Sequence, residues 1–422
     1  MIFLYRIITL LFYPIFVIII FYRKIIKKED TNRFKEKIFS SSFNIKRKDN
    51  TKLIWFHASS IGEFKSVLPI ISELNKIEKN LEFLITTATL SSGNLATEEL
   101  KKFSNVYHRF FPFDVGFLIN KFLTKWKPSS IFLVDSEIWP NLISYASEKK
   151  INISLINARI TRKSFLRWKL LPGFNKSVFS KFNFCLTSNL ETSNFLGELG
   201  AKNISYLGNL KFVHKVETDY KNDLNNDFFK KKKFWFAAST HEGEESFCIE
   251  THLKIKKNIE KIITIIAPRH INRSNAIKNI CNNLKLNTQI LNKDEVIQDD
   301  MEIIIINSFG KLSNFFRHAK SVFIGKSLIK RLQKDAGQSP IDAANLGCKV
   351  YHGPYVYNFR EVYETLKENN ISQEINSQEE LANYLIKDLS QKDKEISKYS
   401  EVMKSLSKKI LNDYMTILRN TI

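Results

Sequence analysis

Short apolar runs of strand type alternate along this chain with longer runs whose apolar residues recur at helical spacing. That alternation restricts the fold more than any other feature. In the first half the strand candidates are Leu53 to Phe56, "LEFLITTAT" from Leu81, "SIFLVDSEIW" from Ser130 and "INISLINARI" from Ile151. The second half repeats the scheme with "FWFAAST", "IITIIAPRH", "MEIIIINSF" and "SVFIGKSL". Such alternation implies an α/β fold of parallel sheets covered by helices. Pro140 is well placed to open the helix after Trp139.

The two halves begin alike. "WFHASSIGE" at Trp55 and "WFAASTHEGE" at Trp235 each give a strand, a small-residue turn, a Gly and a Glu. Two Rossmann-like domains facing a cleft would show this, each opening with a strand whose loop leads to a helix N-terminus. With 422 residues, 43% of them hydrophobic, the chain can bury two ordinary cores. The polar segment Lys215 to Lys233 makes a natural linker between a first domain over 31–214 and a second over 234–390. Gln373 to Ile422 reads as helices only, with a C-terminal helix over 391–422.

Residues 1–30 form a separate element. From Ile7 to Tyr22 the chain reads "IITLLFYPIFVIIIFY" without a charge, bracketed by Arg6 and by "RKIIKK". This falls a little short of the roughly 20 residues a spanning helix needs, although Ile2 to Tyr5 extend it if Arg6 snorkels. No small-residue cleavage site follows, so the run reads as an uncleaved anchor. Arg23, Lys24, Lys27 and Lys28 place the remainder on the cytoplasmic side of the membrane.

The formal net charge of +22 points to an anionic partner such as phospholipid headgroups, nucleic acid or a phosphorylated substrate, and a general Lys bias would produce much of the same excess. No basic patch interleaved with stacking aromatics is evident, so no nucleic-acid partner is expected. Cys185, Cys248, Cys281 and Cys348 form no CxxC pair, which argues against a disulfide framework or a zinc ribbon. "HEGEE" lacks the second His of a zinc-protease helix, because position 245 is Glu. No metal site is expected.

Glu63 follows the loop Ser59, Ser60, Gly62 and opens a helix whose apolar face is Phe64, Val67, Leu68 and Ile71. On local geometry alone an acid there is a residue favoured by the helix dipole.

Nine segments then occur in one order: "HASSIGE", "TTATLSSG", "FPFD", "DSEIWPNLI", "NARIT", "GNLKF", "AASTHEGEE", "APRH" and "GQSPIDAANLGCKVYHGPYVYNF". Together they resemble the Kdo transferases, which place 3-deoxy-manno-octulosonic acid on lipid A precursor. The resemblance runs from the anchor to about Leu366. It implies a GT-B glycosyltransferase with CMP-Kdo as donor, no other cofactor, lipid A precursor as acceptor, and anionic inner-membrane phospholipids as surroundings. By the same resemblance Glu63 is the general base, while Glu137 and Lys211 assist the transition state. CMP is held by Pro268 and Arg269, by Phe309, Gly310 and Lys311, and by Ser339, Pro340, Ile341 and Asp342. Lys311 stands where the family has an acid, Ser339 where it has Asn, and Asp342 where it has Glu.

The chemistry suits these residue types. A carboxylate at the carboxyl end of a parallel strand can take the proton of an acceptor hydroxyl. The planar donors of Arg269 match phosphate oxygens, and Ser239 with Thr240 opens a helix whose N-terminus adds positive potential, so no metal is required. Glu137 and Lys211 are equally readable as a structural ion pair. His57 and His270 flank the same loops and receive no role. The competing readings are another GT-B transferase using a UDP-sugar and a basic, membrane-tethered protein that binds anionic lipid.

Overall fold

The computed structural model describes residues 1–43, 47–48, 50–214, 216, 224–308, 310, 312–391 and 394–422. The chain divides into two compact units, one of Met1–His214 with Ser407–Ile422 and one of Lys215–Leu406.

The first unit is built on seven parallel strands: β1 (Lys52–His57), β2 (Leu81–Thr87), β3 (Val106–Phe110), β4 (Ser130–Val134), β5 (Asn152–Ala158), β6 (Cys185–Thr187) and β7 (Ile204–Tyr206). Their spatial order is β3-β2-β1-β4-β5-β6-β7. Chain order therefore reverses between β1 and β4, which pair directly, Trp55 facing Ile131 and His57 facing Leu133. In an open α/β sheet that reversal is where ligands bind, outside the carboxyl ends of the strands. The strands are apolar at successive positions because helices cover both faces. Trp55, fully buried, meets Phe111 and Phe122.

The second unit repeats the plan with β8 (Lys233–Thr240), β9 (Ile262–Pro268), β10 (Thr288–Leu291), β11 (Ile303–Ile306), β12 (Ser321–Ile324), β13 (Lys349–His352) and β14 (Ser372–Glu374). The order is β10-β11-β9-β8-β12-β13-β14, with its reversal between β8 and β12. Two Rossmann-like units with an apolar N-terminal helix are thus the architecture of the chain.

The details differ from the sequence reading in three places. Part of the expected linker, Asn226–Lys231, is a helix whose Phe229 packs on Phe234 and Phe315. Gln373 and Glu374 belong to β14 rather than to a helix. The C-terminal helix Lys394–Arg419 is divided between the units. Its last part packs on the turn after β7: Ser407 Oγ donates to Phe212 O at 2.7 Å, and Tyr414 OH donates to Gly208 O at 3.2 Å.

The N-terminal helix covers Ile2–Ile25, 24 residues or roughly 36 Å. One stripe is tied to the first unit, at positions three or four apart. Tyr5 OH donates to Asp114 Oδ2 (3.1 Å), Asn141 Nδ2 donates to Thr9 Oγ1 (3.2 Å), and Tyr13 OH donates to Ile38 O (2.6 Å). Phe16 stacks on Phe113, and Ile20 joins Phe34 and Ile38. The other faces are bare: Phe3 is 71% exposed, Leu11 70% and Ile18 67%. Asp114, the acid of "FPFD", also accepts the backbone N–H groups of Asn141 and Leu142, both at 2.9 Å, so it caps the helix Pro140–Glu148.

Candidate active site

β1 ends at His57, and the helix Ile61–Ile77 begins two residues after Ser59. Ser60 is its N-cap, in extended conformation. Glu63 N donates to Ser60 Oγ at 3.4 Å, and Ser60 Oγ donates to Glu63 Oε1 at 2.7 Å. Ser59 N donates to Glu63 Oε2 at 2.7 Å. The side chain thus closes the first turn of its own helix and is buried in doing so. Burial pushes its carboxyl above the usual carboxylate range. The Ser60 hydroxyl and the Ser59 N–H oppose that rise, and the charges of Asp135 and Glu137 add to it.

Asp135 directly follows β4 with φ +62°, a left-handed conformation that is costly for a residue with a Cβ. Its Oδ2 accepts from Lys211 Nζ at 2.6 Å. Lys211 sits in the 3-10 turn Leu210–Val213, which Asn157 and Asn209 fasten: their Oδ1 atoms accept from Leu210 N (2.8 Å) and Lys211 N (2.9 Å). A Cβ placed on Gly62 would lie 3.9 Å from Lys211 Cε, so the lysine stem runs beside the helix start that carries Glu63.

Glu137 has different partners. His57 Nε2 lies 3.1 Å from its Oε2, and Trp139 Nε1–H donates to the same oxygen at 2.8 Å. Burial alone would raise its pKa, but hydrogen bonds from His57, Trp139 and Ser59 outweigh it and hold the carboxyl below the usual range. The ion pair that the sequence left open between Glu137 and Lys211 is therefore replaced by two separate pairings, Asp135 with Lys211 and His57 with Glu137. Three carboxylates, a lysine and a histidine meet at the carboxyl ends of β1 and β4. Sequence reasoning missed Asp135, although "DSE" offered two acids at the end of one strand.

In the second unit the expected donor residues lie on connections that leave the carboxyl edge of its sheet. Ser239, near the end of β8, has φ +58°, and its carbonyl accepts from the His241 ring. Arg269 and His270 follow β9 and are exposed, and Arg269 N donates to Thr240 O at 2.9 Å. Gly310 follows β11 with φ +95° and open space where a Cβ would be. Phe309 and Lys311 lie outside the described residues.

Pro340 is the N-cap of the short helix Ile341–Asn345. Ser339 Oγ accepts from Ile341 N at 3.4 Å, and Asp342 in the first turn is partly exposed. Pro268 and Ile341 are buried. Unforeseen by the sequence reading is the closeness of the backbone around β12 and β13. A Cβ on Gly325 would lie 2.5 Å from Ser239 O, and one on Gly353 would lie 2.3 Å from Ser327 O. Among the described residues no group of three His, Cys, Asp or Glu is placed to hold a metal ion.

Two Rossmann-like units, each with polar residues at the switch point of its sheet, give the chain a GT-B fold. A glycosyltransferase from Rickettsia africae has the same architecture, with TM-score 0.56, 12% identity, and 88% of this chain and 99% of that one covered. So does a putative UDP-N-acetylglucosamine 2-epimerase from Listeria monocytogenes, with TM-score 0.58, 12% identity, and coverage of 88% and 98%.

Sequence narrows the class to a family. Residues 32–214 match the family described as 3-Deoxy-D-manno-octulosonic-acid transferase (kdotransferase). A 3-deoxy-D-manno-octulosonic acid transferase of Rickettsia bellii is 30% identical over 98% of both chains. A probable mitochondrial one of Arabidopsis thaliana is 31% identical over 75% of this chain and 72% of its own. The chain belongs to the 3-deoxy-D-manno-octulosonic acid (Kdo) transferase family, and Kdo transfer is its activity.

Proposed function

We propose that this enzyme transfers Kdo from CMP-Kdo to the lipid A precursor lipid IVA, without a metal ion, at the cytoplasmic face of the inner membrane. Glu63 is the base. The observation that carries this reading is a buried carboxylate with a raised pKa at the carboxyl end of β1, beside two further acids. As the acceptor hydroxyl oxygen bonds to the anomeric carbon of Kdo, its proton passes to Glu63. The bond from that carbon to the phosphate of CMP breaks, and its electron pair leaves with CMP. The negative charge of Glu137 favours positive character at the anomeric carbon. Lys211, held by Asp135, supplies a fixed cation on the acceptor side. Arg269 faces the departing phosphate, and Asp342 binds the ribose.

The N-terminal helix supports an embedded rather than a spanning attachment. Its inner stripe is fastened to the first unit along most of its length, which leaves Phe3, Leu11 and Ile18 to enter the apolar layer beside anionic headgroups. Full-length protein should stay with membranes through a high-salt wash, and release by salt alone would refute this attachment.

The test of the chemistry is Glu63→Gln, assayed with CMP-Kdo and lipid IVA by mass measurement of the lipid. Turnover should be abolished. Near-parent turnover would end the assignment of the base, and undiminished parent activity after EDTA treatment is expected of a metal-independent transfer.

A further inference from the structure

His57 is fully buried, and yet both of its ring nitrogens have polar partners. Its Nε2 faces a carboxylate, which can only accept, so that nitrogen carries a hydrogen. Trp55 Nε1–H, which can only donate, gives its hydrogen to Thr86 Oγ1 at 2.8 Å. Thr86 Oγ1 lies 2.9 Å from His57 Nδ1, and His57 Nε2 lies 3.1 Å from Glu137 Oε2. In the neutral ring one arrangement gives every N–H and O–H in this chain an acceptor, while Thr86 O, 3.2 Å from Nδ1, accepts from the ring when both nitrogens carry hydrogen. The indole donates to the hydroxyl, the hydroxyl donates to Nδ1, and Nε2–H donates to the carboxylate. The ring plane is locked as well, because Phe111 stacks on it at 4.0 Å between centroids and 23° between planes, and Phe111 in turn meets Trp139.

We propose that His57 is a positioning residue for Kdo transfer, holding the Glu137 carboxylate ionised and in one orientation through a hydrogen-bond chain that begins at Trp55. The proposal rests on the reading that the pocket of Glu63 and Glu137 is the reaction site. Glu137 Oε2 takes two N–H donors from fixed directions, His57 on β1 and Trp139 on its own loop. A carboxylate held from two sides keeps its second oxygen aimed without reorganisation as charge develops, which is what electrostatic preorganisation requires. The charged and titratable groups near it are His57 and Glu63, and Glu63 in turn lies by Asp135, which is paired with Lys211. Of these, only His57 donates to Glu137. Its loss should raise the pKa of that carboxyl, so that the ionised form, and activity with it, is lost at a higher pH.

The experiment compares four variants of the full-length protein in detergent, with CMP-Kdo and lipid IVA. His57→Asn removes the donor at the Nε2 position, whereas His57→Gln returns an amide N–H close to it. Thr86→Val removes the hydroxyl beside Nδ1 that links the ring to Trp55, and Thr86→Ser restores it. His57→Asn should lower kcat by about a hundredfold, the usual cost of a misplaced reacting group, with both KM values near parent. It should also move the acid limb of the rate profile to higher pH. His57→Gln and Thr86→Ser should recover most of the rate, and Thr86→Val should fall between.

Two outcomes overturn the proposal: parent kcat and an unmoved acid limb in His57→Asn, or equal losses in Asn and Gln together with a lowered Tm and an unmoved limb. The Glu63→Gln control separates the two levels. If it is dead while His57→Asn is fully active, only the positioning role falls. If it turns over normally, the reading of the pocket as the reaction site fails.

Discussion

Glu63 and Glu244 occupy similar places in the two units, each an acid after a strand, a small-residue turn and a glycine. Their surroundings differ in one decisive respect. Glu244 receives four backbone N–H groups: His241 and Lys326 donate to Oε2 at 2.9 and 2.7 Å, Ser327 and Leu328 to Oε1 at 2.8 and 3.0 Å. A carboxylate offers about four acceptor positions, so this one is saturated and serves as a staple between the start of its helix and the loop after β12. Burial pushes its carboxyl up, and the four N–H groups oppose the rise. Glu63 receives one donor on each oxygen and keeps positions free. A motif that looks duplicated in sequence therefore serves the fold in one unit and is available for chemistry in the other. What decides is how many backbone N–H groups converge on the acid.

The sharpest way to break this comparison is to make the same isosteric change at both positions. Glu63→Gln should abolish transfer and alter stability by no more than about 1 kcal/mol, since an amide oxygen still accepts at the helix start. Glu244→Gln should place an NH2 donor against two backbone donors and cost on the order of 3 kcal/mol or more, seen as a fall in Tm. A stable Glu244→Gln enzyme would mean that the staple is not needed.

The amino-acid pattern made the strands of both sheets legible wherever they are long and apolar, and it marked Glu63 by its place after a small-residue loop. The strands β3, β6, β7, β10, β13 and β14 escaped because runs of three to five residues, several with polar members, carry too little period to be told from loops. Asp135 escaped for a backbone reason. Side-chain alternation in β4 ends at Val134, and the left-handed φ of Asp135 re-aims the next residues, so counting along "DSE" cannot say that its first acid meets Lys211 and its last meets His57. The N-terminal run was readable as apolar, but not as docked. Tyr5, Thr9 and Tyr13 find partners more than twenty residues away, so removing residues 1–30 would expose Ile38 and the cap at Asp114 rather than simply free an anchor.

Acid should separate the units next. In the first unit the pKa of His108 is lowered to about 3 by burial and by Arg33 and Arg109. In the second, His252 and His352 are each lowered to about 4. Burial is the main cause in both, with Lys256 beside the first and Lys367 beside the second adding to it. Each is neutral in the fold at pH 5 but protonated in the unfolded chain, so stability is intact above about pH 6.5 and is lost as pH falls towards the folded pKa. At pH 5 each costs about 2 kcal/mol relative to pH 7. Thermal scans at both pH values should show that replacing His252 and His352 together by Gln removes about twice as much acid sensitivity as His108→Gln. Equal effects would show that the units do not differ in this respect.

Donor recognition gives a smaller effect. Asp342→Ala should weaken CMP-Kdo by about 1–3 kcal/mol, the worth of a hydrogen bond to a charged group, and leave the acceptor KM unchanged. An unchanged donor KM would leave Asp342 as a helix-start residue only, as Glu244 is.

The smallest effect concerns how each unit is closed. The first unit ends with a segment that returns from the far side of the sequence, and that segment bears on the turn carrying Lys211. Tyr414 is fully buried and donates to Gly208 O, and Ile410 lies so close that a Cβ on Gly208 would sit 3.3 Å from it. Gly208 has φ +87°, so the turn needs glycine there on both conformational and steric grounds. Tyr414→Phe removes the hydroxyl that donates to Gly208 O and accepts from the Asn157 backbone and leaves the packing intact, so it should cost about 1–2 kcal/mol in stability. If the returning helix holds Lys211 in place, kcat should also fall by a few fold while the CMP-Kdo KM stays constant. An unaltered kcat would show that Asn157 and Asn209 fasten the turn without help, because the side-chain oxygen of each accepts from its backbone directly.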